Sequence, residues 1–467
     1  MEFLDRIDEL AALEDNWTAE DARFYVLWGR RRVGKTELLN RFVAGKRALY
    51  FEATSATRQD QLRDFSRELA RVWRNQLLAQ QPLSSWEAAL TAIEQYTASE
   101  RTVVVLDEFQ YLAARDPELG SLLNRWWRTT GRRLGLVLII AGSEVSFFER
   151  EVMAGAMYGR RTGQWQLTPF DYRSAALFAP GYSAADKVRV YAVCGGMPYY
   201  LERFRDDVPL AENILRQILY RDGFLHEEAE LVLRQELSDP HNYFSTLRAI
   251  ANGKTRNSEI ANWTELDSAQ VRQITSVLER LKLVEQRRPV TAGPRSKKTT
   301  YVVVDGFLNF YFRFVDPYRS LLRTRDGAER HLRQTVMPQL DHFVSKPAFE
   351  DICRSHMQRA ERAGAVGAWW GPVPTGERRR TEQREVDAVA LDERANVLAL
   401  GSCKWTAAAM GIGEEALLER VREHIPGADR VERHYFYARS GFEDPLRRLG
   451  AADPERYRLL TPADLYA

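Results

Sequence analysis

The octapeptide Gly29-Arg-Arg-Arg-Val-Gly-Lys-Thr36 carries more structural information than any other stretch of this 467-residue chain. The run Arg23–Trp28 before it is mostly apolar and predicts a buried strand, and residues 35–43 after it show helical spacing of apolar side chains. A strand, a GxxxxGK[ST] loop and a helix form a phosphate-binding unit, because the loop N–H groups and the helix N-terminus point at one anion. A basic turn without this role would not require both neighbours. The octapeptide therefore predicts a P-loop NTPase core of the α/β class.

The loop predicts a nucleotide site with ATP and Mg²⁺ as cofactors. We expect Lys35 to contact the β and γ phosphate oxygens and to assist catalysis, and the Thr36 hydroxyl to bind Mg²⁺. The predicted nucleotide-binding residues of the loop are Gly29, Arg30, Arg31, Arg32, Val33, Gly34, Lys35, Thr36 and Glu37. ATP and ADP are therefore the expected ligands of a first domain at residues 1–175.

An acidic pair follows the β-branched run Thr102–Leu106, which predicts a buried parallel strand. Asp107 and Glu108 would then lie at the carboxyl edge of the sheet, where parallel strands place ligand-binding side chains. We expect Asp107 to hold the water shell of Mg²⁺ and Glu108 to polarise the attacking water as a catalytic residue. Acidic pairs at strand ends are common, but the P-loop upstream favours the functional interpretation of this pair.

Two further polar positions are candidates for catalytic contact with the γ-phosphate. Ser143 follows a predicted strand, Leu134–Ala141, and would reach the same sheet edge; a turn with a helix N-cap is the alternative. Arg160 precedes another predicted strand, Gln164–Leu167, and an arginine near the γ-phosphate stabilises charge that develops in the transition state. Because surface arginines are common in this chain, a solvated role is the alternative for Arg160 and for its neighbour Arg161.

Length and composition set bounds on the rest of the chain. Its 467 residues exceed the usual size of one hydrophobic core, so about two to four domains are expected. The three cysteines lie far apart and show neither metal-binding nor disulfide spacing. No apolar run reaches the ~18 residues of a membrane span, and the N-terminus is too charged for a signal peptide. The sequence thus predicts a cytoplasmic protein without membrane contact, and a net charge of +2 neither requires nor excludes nucleic acid.

The middle of the chain predicts a helical lid and then a winged helix. Residues 176–237 alternate helical segments with a break at Gly195-Gly196, as expected of a lid over a nucleotide. Residues 238–304 contain two short helices and a hairpin, the order of a winged helix. The apolar face of the second helix comprises Val271, Ile274, Leu278 and Leu281. The basic tip of the hairpin comprises Arg295, Lys297 and Lys298. This basic tip would contact a DNA or RNA backbone, whereas a packing module with a solvated turn is the alternative.

Taken in order, these motifs resemble a family of archaeal and bacterial ATPases in the STAND branch of AAA-like P-loop NTPases. The motifs are Phe3-x-x-Arg6-x-x-Glu9-Leu10, the loop at residues 29–36, Leu106-Asp107-Glu108-Phe109-Gln110, Ala141-Gly142-Ser143, Tyr158-Gly159-Arg160 and Cys194-Gly195-Gly196-Met197-Pro198-Tyr199. The resemblance implies that Pro198 of the lid packs on the adenine and that Arg6 contacts the nucleotide. Asp5 stands where this family usually has a glycine, and this departure bears on the role of Arg6.

After a connector at residues 305–340, residues 341–467 show a different order of charged side chains. The predicted nuclease-like site comprises Glu350 in a helix, Asp387 in a strand, and Ser402 and Lys404 in the next strand. This is the PD-(D/E)XK order, in which carboxylates hold a metal and a lysine positions or activates the water. The sequence therefore predicts a C-terminal α/β restriction-endonuclease-like domain. It also resembles the domain of unknown function that commonly follows this ATPase, whose last strand typically reads Gly-Glu-Cys-Lys-Trp.

The corresponding strand here reads Gly401-Ser402-Cys403-Lys404-Trp405. Residues 402 and 404 lie on one strand face, so Ser402 takes the place of the second metal carboxylate. A hydroxyl is a weak, neutral ligand for Mg²⁺. The acids that could compensate are Glu385, Glu414 and Glu415. Without such a compensating carboxylate, the domain would be a nuclease-like fold used for binding or as a scaffold. We therefore expect nuclease cleavage to be lost or weakened.

The sequence as a whole indicates a slowly hydrolysing regulatory ATPase whose nucleotide state controls a winged-helix and nuclease-like region that acts on or near nucleic acid. Two alternatives stay open. One is an ATP-regulated, metal-dependent DNA nuclease, and the other is a non-catalytic nucleic-acid-binding or scaffold protein with a structural nucleotide. The sequence names neither a protein partner nor an oligomeric state, and a homo-oligomer is compatible with it.

Overall fold

The computed structural model describes residues 3–467 with the exception of 99, 154, 156–158, 160, 238, 294–295, 297, 376–379, 429–430 and 432. The chain forms two compact units, Met1–Pro169 and Phe170–Ala467. The predictions for Arg160 and for Arg295 and Lys297 of the basic tip lie outside the described residues.

The first unit is built on a five-stranded sheet. Its strands are β1 (Arg23–Trp28), β2 (Ala48–Glu52), β3 (Thr102–Asp107), β4 (Leu136–Gly142) and β5 (Gly163–Gln166). All neighbouring strands are parallel, in the order β2-β3-β4-β1-β5. Every residue of β3 and β4 is buried, as expected for parallel strands covered on both faces. The helices of this unit are α1 (Ile7–Thr18), α2 (Lys35–Val43), α3 (Arg58–Trp73), α4 (Gln76–Gln80), α5 (Trp86–Thr97), α6 (Phe109–Arg115), α7 (Leu119–Thr129) and α8 (Val145–Phe147).

The predicted strand and helix around the P-loop are confirmed to the residue, because β1 and α2 have the bounds that the sequence indicated. β4 begins two residues later than predicted. Leu134 instead closes a tight turn, since its N–H donates to the carbonyl of Gly131 (3.2 Å). β5 is likewise displaced by one residue from the predicted strand. These shifts leave the strand ends at the predicted edge of the sheet.

Two glycines allow the loop to turn sharply from β1 into α2. Gly34 has a φ of +91°, in the left-handed region that side chains disfavour. A Cβ on Gly29 would lie 2.3 Å from the carbonyl oxygen of Leu167, a distance that no side chain tolerates. The loop therefore requires glycine at both ends for different reasons, one conformational and one steric.

The N-terminal part of the second unit is helical. Its elements are α9 (Tyr172–Ala176), α10 (Ala184–Cys194), α11 (Pro198–Leu201), α12 (Leu210–Ile214), α13 (Glu228–Glu236), α14 (His241–Ala251), α15 (Asn257–Thr264) and α16 (Ser268–Arg280), followed by β6 (Val284–Arg287) and β7 (Thr300–Val303). The strands β6 and β7 pair antiparallel. The predicted apolar face of α16 is buried, and Gln270, Arg272 and Gln273 are exposed. Asp267 caps α16 through hydrogen bonds to two N–H groups of its first turn.

The segment predicted as a connector contributes to the core. It contains α17 (Gly306–Phe314) and α18 (Arg325–His331). The buried apolar side chains of α17 are Phe307, Leu308, Phe310, Tyr311, Phe312 and Phe314. Since α17 packs against both α10 and α14, its aromatic side chains join α10, which lies in the predicted lid, to the α14–α16 region.

A second five-stranded sheet forms the C-terminal part of this unit. Its elements are α19 (Met337–Val344), α20 (Glu350–Glu361), β8 (Ala365–Pro374), β9 (Thr381–Leu391), β10 (Val397–Lys404), α21 (Gly413–Arg422), β11 (Arg433–Ala438), α22 (Asp444–Ala452), β12 (Tyr457–Leu460) and α23 (Pro462–Leu465). The strand order is β12-β11-β10-β9-β8, antiparallel from β8 to β10 and parallel from β10 to β12. The α/β class, with a parallel P-loop core and a second sheet, is thus confirmed. Within the described ranges, every helix is too short or too polar to span a bilayer.

Candidate nucleotide site and C-terminal acidic cluster

The nucleotide-site residues meet at one edge of the parallel sheet. The P-loop follows β1, and Asp107 is the last residue of β3. β4 lies between these two strands, so Ser143, which follows it, is placed between the loop and the acidic pair. Sequence alone predicted that the three strand ends share an edge but could not give their order.

Lys35 is buried, and its ammonium is held by the loop itself. Its Nζ donates to the carbonyl oxygens of Gly29 (2.8 Å) and Arg30 (3.1 Å). A buried charge requires such partners, and phosphate oxygens offer a charge-assisted alternative to them. Arg30 is buried, Arg32 has a φ of +71°, and Glu37 is exposed in the first turn of α2. The loop therefore holds a cation at the position where the sequence predicted phosphate contact.

Thr36 and Asp107, the residues predicted to bind Mg²⁺, are in direct contact. Thr36 Oγ1 donates to Asp107 Oδ2 at 3.2 Å, and Tyr50 Oη donates to the same oxygen at 2.6 Å. Burial, together with the charge of Asp107, raises the pKa of Tyr50, so its phenol stays a neutral donor. Asp107 is fully buried. Its carboxylate is therefore oriented by two hydroxyls, and a hydroxyl with a carboxylate is the donor set that Mg²⁺ takes in P-loop proteins.

Glu108 is held by two side chains. Ser143 Oγ donates to Glu108 Oε2 at 2.7 Å, and Gln110 Nε2 donates to the same carboxylate and to Ser143 Oγ (3.2 Å). Glu108 has a φ of +52°, and its N–H donates to Asp107 Oδ1 (2.9 Å). A non-glycine residue in this conformation is held by its surroundings, which is frequent at functional sites. The predicted serine and the predicted carboxylate are thus in direct contact.

Arg6 contacts the backbone of the P-loop. Its guanidinium donates to the carbonyls of Val33 (3.1 Å) and Thr168 (2.8 Å) and forms an ion pair with Glu9 (2.8 Å). These contacts fix the backbone of the loop, and nucleotide contact by Arg6 stays a prediction. Pro198 begins α11 of the second unit, and its predicted contact with adenine also stays a prediction.

Three side chains at this site were not predicted to act there. Tyr50 lies on β2, and only the pairing of β2 with β3 brings it to Asp107. Gln110 stands in the motif that contains the acidic pair, so its spacing from Glu108 was the available signal. Tyr111 accepts a hydrogen bond from Arg31 (2.5 Å), a contact that links α6 to the P-loop.

In the C-terminal sheet, three acids meet in one cluster. Glu350 on α20 and Glu385 and Asp387 on β9 have carboxylate oxygens within 4.8 Å of one another. We call these residues the acidic cluster. Lys346 Nζ contacts Glu350 (3.1 Å) and Glu385 (3.2 Å), and Arg354 contacts Glu350 (2.8 Å). The acidic cluster is therefore partly neutralised by side chains that the sequence did not single out.

Burial shifts the protonation of this cluster. It raises the pKa of Glu350 and of Asp387 above the ordinary carboxyl range. Burial alone would lower the pKa of Lys346, but the carboxylates of Glu350 and Glu385 outweigh it and raise that pKa. Lys346 is therefore a firmly protonated cation between two acids.

Ser402 and Lys404 both contact a later acid. Ser402 Oγ donates to Glu414 Oε2 (2.7 Å), and Lys404 Nζ lies 3.2 Å from the same oxygen. Asp387 Oδ2 instead accepts from the N–H of Cys403 (2.8 Å). Of the acids considered as compensation, Glu385 joins the acidic cluster and Glu414 pairs with Ser402. Glu415 lies with Glu419 and His434.

A glycine-bearing loop at the edge of a parallel sheet, with an acidic pair on a nearby strand, defines a P-loop ATPase. Residues 3–204 match a family described as an ATPase domain predominantly from Archaea. Residues 311–416 match a family described as archaeal and bacterial proteins of unknown function. The chain therefore belongs to this mainly archaeal ATPase family by its N-terminal domain and carries the second family's domain after it.

Two relatives come from Methanocaldococcus jannaschii. An uncharacterized protein is 27% identical over 407 residues, which cover 86% of this chain and 87% of the relative. An uncharacterized ATP-binding protein is 44% identical over 45 residues, which cover 10% of this chain and 76% of the relative. Among solved structures, a Walker-type ATPase of Pyrococcus abyssi is similar with a TM-score of 0.46 and 19% identity, over 67% of this chain and 96% of that one.

Proposed function

We propose that this chain is an ATP-binding, slowly hydrolysing regulatory ATPase whose nucleotide state controls its winged-helix and nuclease-like regions. The observation that carries this proposal is the 3.2 Å contact between Thr36 Oγ1 and Asp107 Oδ2. A P-loop hydroxyl and a strand-end carboxylate are the two protein groups that hold Mg²⁺ in P-loop NTPases. Here they touch between the first turn of α2 and the end of β3, so one cation could contact both.

Each residue of the site has a proposed role. Thr36 and Asp107 hold Mg²⁺, which when bound offsets the charge of the phosphates. Lys35 exchanges its two carbonyl acceptors for phosphate oxygens, and the loop N–H groups bind the remaining oxygens. The Ser143 hydroxyl contacts the γ-phosphate. Arg160, on the evidence of the sequence, stabilises charge in the transition state.

Slow turnover is supported by the contacts of Glu108. To polarise a water, its carboxylate needs a free lone pair directed at that water. One of its oxygens already accepts hydrogen bonds from Ser143 and Gln110. A γ-phosphate that draws Ser143 away would release Glu108, so the same serine links nucleotide binding to catalysis.

We also propose that the α14–α16 helices and the β6–β7 hairpin act as a winged helix that contacts nucleic acid weakly and without sequence preference. Gln270, Arg272 and Gln273 are exposed on α16, and Lys298 is exposed in the hairpin. Exposed cations contact phosphates through charge, which carries no sequence information. The remainder of the basic tip supports this proposal through its sequence alone.

A metal-dependent nuclease is the second candidate, and the proximity of Glu350, Glu385 and Asp387 favours it. Against it, Lys346 and Arg354 already supply positive charge to the acidic cluster, and Ser402 is engaged with Glu414. A metal ion would have to displace the Lys346 ammonium from the buried carboxylate of Glu350, which costs an ion pair. We therefore propose that cleavage is weak or absent.

Phosphate release by the full chain tests the ATPase proposal. With Mg²⁺ and ATP we expect slow, steady release that EDTA abolishes, and a change in rate when duplex DNA or RNA is added. ATP binding without release in any of these conditions would make the nucleotide structural and overturn the proposal.

Plasmid nicking with Mg²⁺ or Mn²⁺, with and without ATP, tests the second candidate. Nicking that is lost in Asp387→Ala but kept in Asp392→Ala, a part-exposed acid just after β9, would establish the nuclease. We expect neither protein to nick above background.

A further inference from the structure

His434 is a buried imidazole without hydrogen-bond partners among the described residues. It is the second residue of β11, its side chain is 0% exposed, and neither ring nitrogen has a partner within that part of the chain. Its ring packs edge-on against Tyr457, with the ring centroids 5.9 Å apart. Buried polar groups are almost always satisfied, so two orphaned nitrogens require a ligand or another explanation.

Two carboxylates face this imidazole. Glu415 and Glu419 are four residues apart on α21 and so share one helix face. One oxygen of each and one nitrogen of His434 all lie within 4.8 Å of one another. Glu419 Oε1 is 3.7 Å from His434 Nε2, which is too long for a hydrogen bond. Two ligand atoms bound to one tetrahedral zinc at ~2.1 Å each would be about 3.4 Å apart, so this spacing suits a shared cation.

The protonation state of the imidazole suits a metal. Burial lowers the pKa of His434 to about 4, so the ring is neutral and its nitrogen lone pair is free. Burial raises the pKa of Glu415, and the negative charge of Glu419 raises it further by a smaller amount. Within the described residues, Glu415 forms no ion pair, and Arg456 is the cation whose charge acts on its carboxylate.

Glu419 already has two cationic neighbours. Arg456 contacts its Oε1 at 2.9 Å, and Arg422 contacts its Oε2 at 3.0 Å. A carboxylate oxygen has two lone pairs and can accept from an arginine while binding a metal. The arginines offset the charge of both carboxylates, so selectivity for a cation must come from the imidazole. A nitrogen ligand favours zinc over Mg²⁺ and Ca²⁺, which prefer oxygen.

We propose that Glu415, Glu419 and His434 form a zinc site in the C-terminal domain. The site uses α21 and β11, whereas the acidic cluster uses α20 and β9 and the nucleotide site lies in the other unit. Three protein ligands leave one position for water or a further ligand, on the side where Glu415 and Glu419 are part-exposed. The ion would join α21 to the start of β11, and the site goes beyond the proposed ATPase function.

Zinc titration of the full, nucleotide-free chain in excess Mg²⁺ tests this proposal. We expect one Zn²⁺ to bind per chain and to raise the unfolding temperature. Glu415→Gln should weaken zinc binding at least about 10-fold, since even the outer partners of metal ligands contribute that much. Glu414→Gln, the neighbouring acid that faces Ser402, and Asp387→Asn are the matched controls and should bind zinc as the parent does.

Cobalt substitution identifies the ligands. Co²⁺ should give visible ligand-field bands that change in His434→Gln; if that variant fails to fold, Glu415→Gln decides. Three results would overturn the proposal: no zinc binding by the parent in excess Mg²⁺, equal affinity in Glu415→Gln, or loss of binding in Asp387→Asn. A cobalt–thiolate charge-transfer band would also overturn it, because it would place the ion at a cysteine.

Discussion

Glu108→Gln should separate nucleotide binding from hydrolysis. The substitution keeps the size of the side chain, and the amide oxygen can still accept from Ser143 Oγ, which now lies 2.7 Å from the carboxylate. What is lost is the negative charge that would polarise the attacking water. A positioned general base contributes about 10²- to 10⁴-fold, so turnover should fall by that factor, or about 3–5 kcal/mol in activation free energy.

The assay pairs steady-state phosphate release with binding of a fluorescent ATP analogue. Glu52→Gln is the matched control, because Glu52 is an acid at the end of β2, and burial together with the charges of Asp107 and Glu108 raises its pKa. It removes a nearby charge without touching the catalytic carboxylate, so turnover should match the parent. Equal turnover in the parent and in Glu108→Gln, or equal loss in both variants, would refute the assignment of Glu108.

Three further predictions concern the P-loop lysine, the basic tip and Ser402. Lys35→Ala should abolish tight ATP binding, whereas Lys46→Ala, which removes an ammonium just after α2, should not; a binding titration decides, and tight binding by the first variant would contradict the P-loop assignment. Replacing the basic tip by serine should flatten the dependence of nucleic-acid affinity on salt, because fewer counterions are released; an unchanged slope would place the contact elsewhere. Ser402→Glu should raise Mn²⁺ affinity at least about 10-fold by calorimetry, since a new metal ligand outweighs an outer partner. Tight Mn²⁺ binding by the parent that Asp387→Ala abolishes would instead show that another acid compensates.

The local elements of the first unit could be predicted because their signals are local. The residues around the P-loop combine an apolar run, two glycines and a helical spacing of apolar side chains. Each of these signals determines the backbone structure of residues that are near it in sequence. The sequence therefore predicts β1 and α2 with their observed bounds. β4 was placed two residues early, since Leu134 is as apolar as the strand that follows and only the turn at Gly131 removes it from the ladder.

Strand order and register determine which side chains are in contact. Both depend on interactions between residues that are far apart in sequence. Tyr50 reaches Asp107 only because β2 pairs with β3, with Glu52 opposite Asp107. Lys346 precedes its domain's first predicted helix and carried no motif, yet it lies between two acids of the acidic cluster.

The C-terminal domain shows most clearly the difference between what the sequence predicts and what packing determines. The sequence placed Glu350, Asp387, Ser402 and Lys404 on the correct kinds of element and raised three acids as compensation for Ser402. Packing then distributed those acids among different neighbours, with Glu385 in the acidic cluster, Glu414 beside Ser402, and Glu415 facing His434. Residue type and spacing fix which chemistry a segment can perform, because they depend on the chain alone. Which acid meets which cation depends on how α20 and α21 pack on the sheet, and that information lies in contacts between residues far apart in sequence.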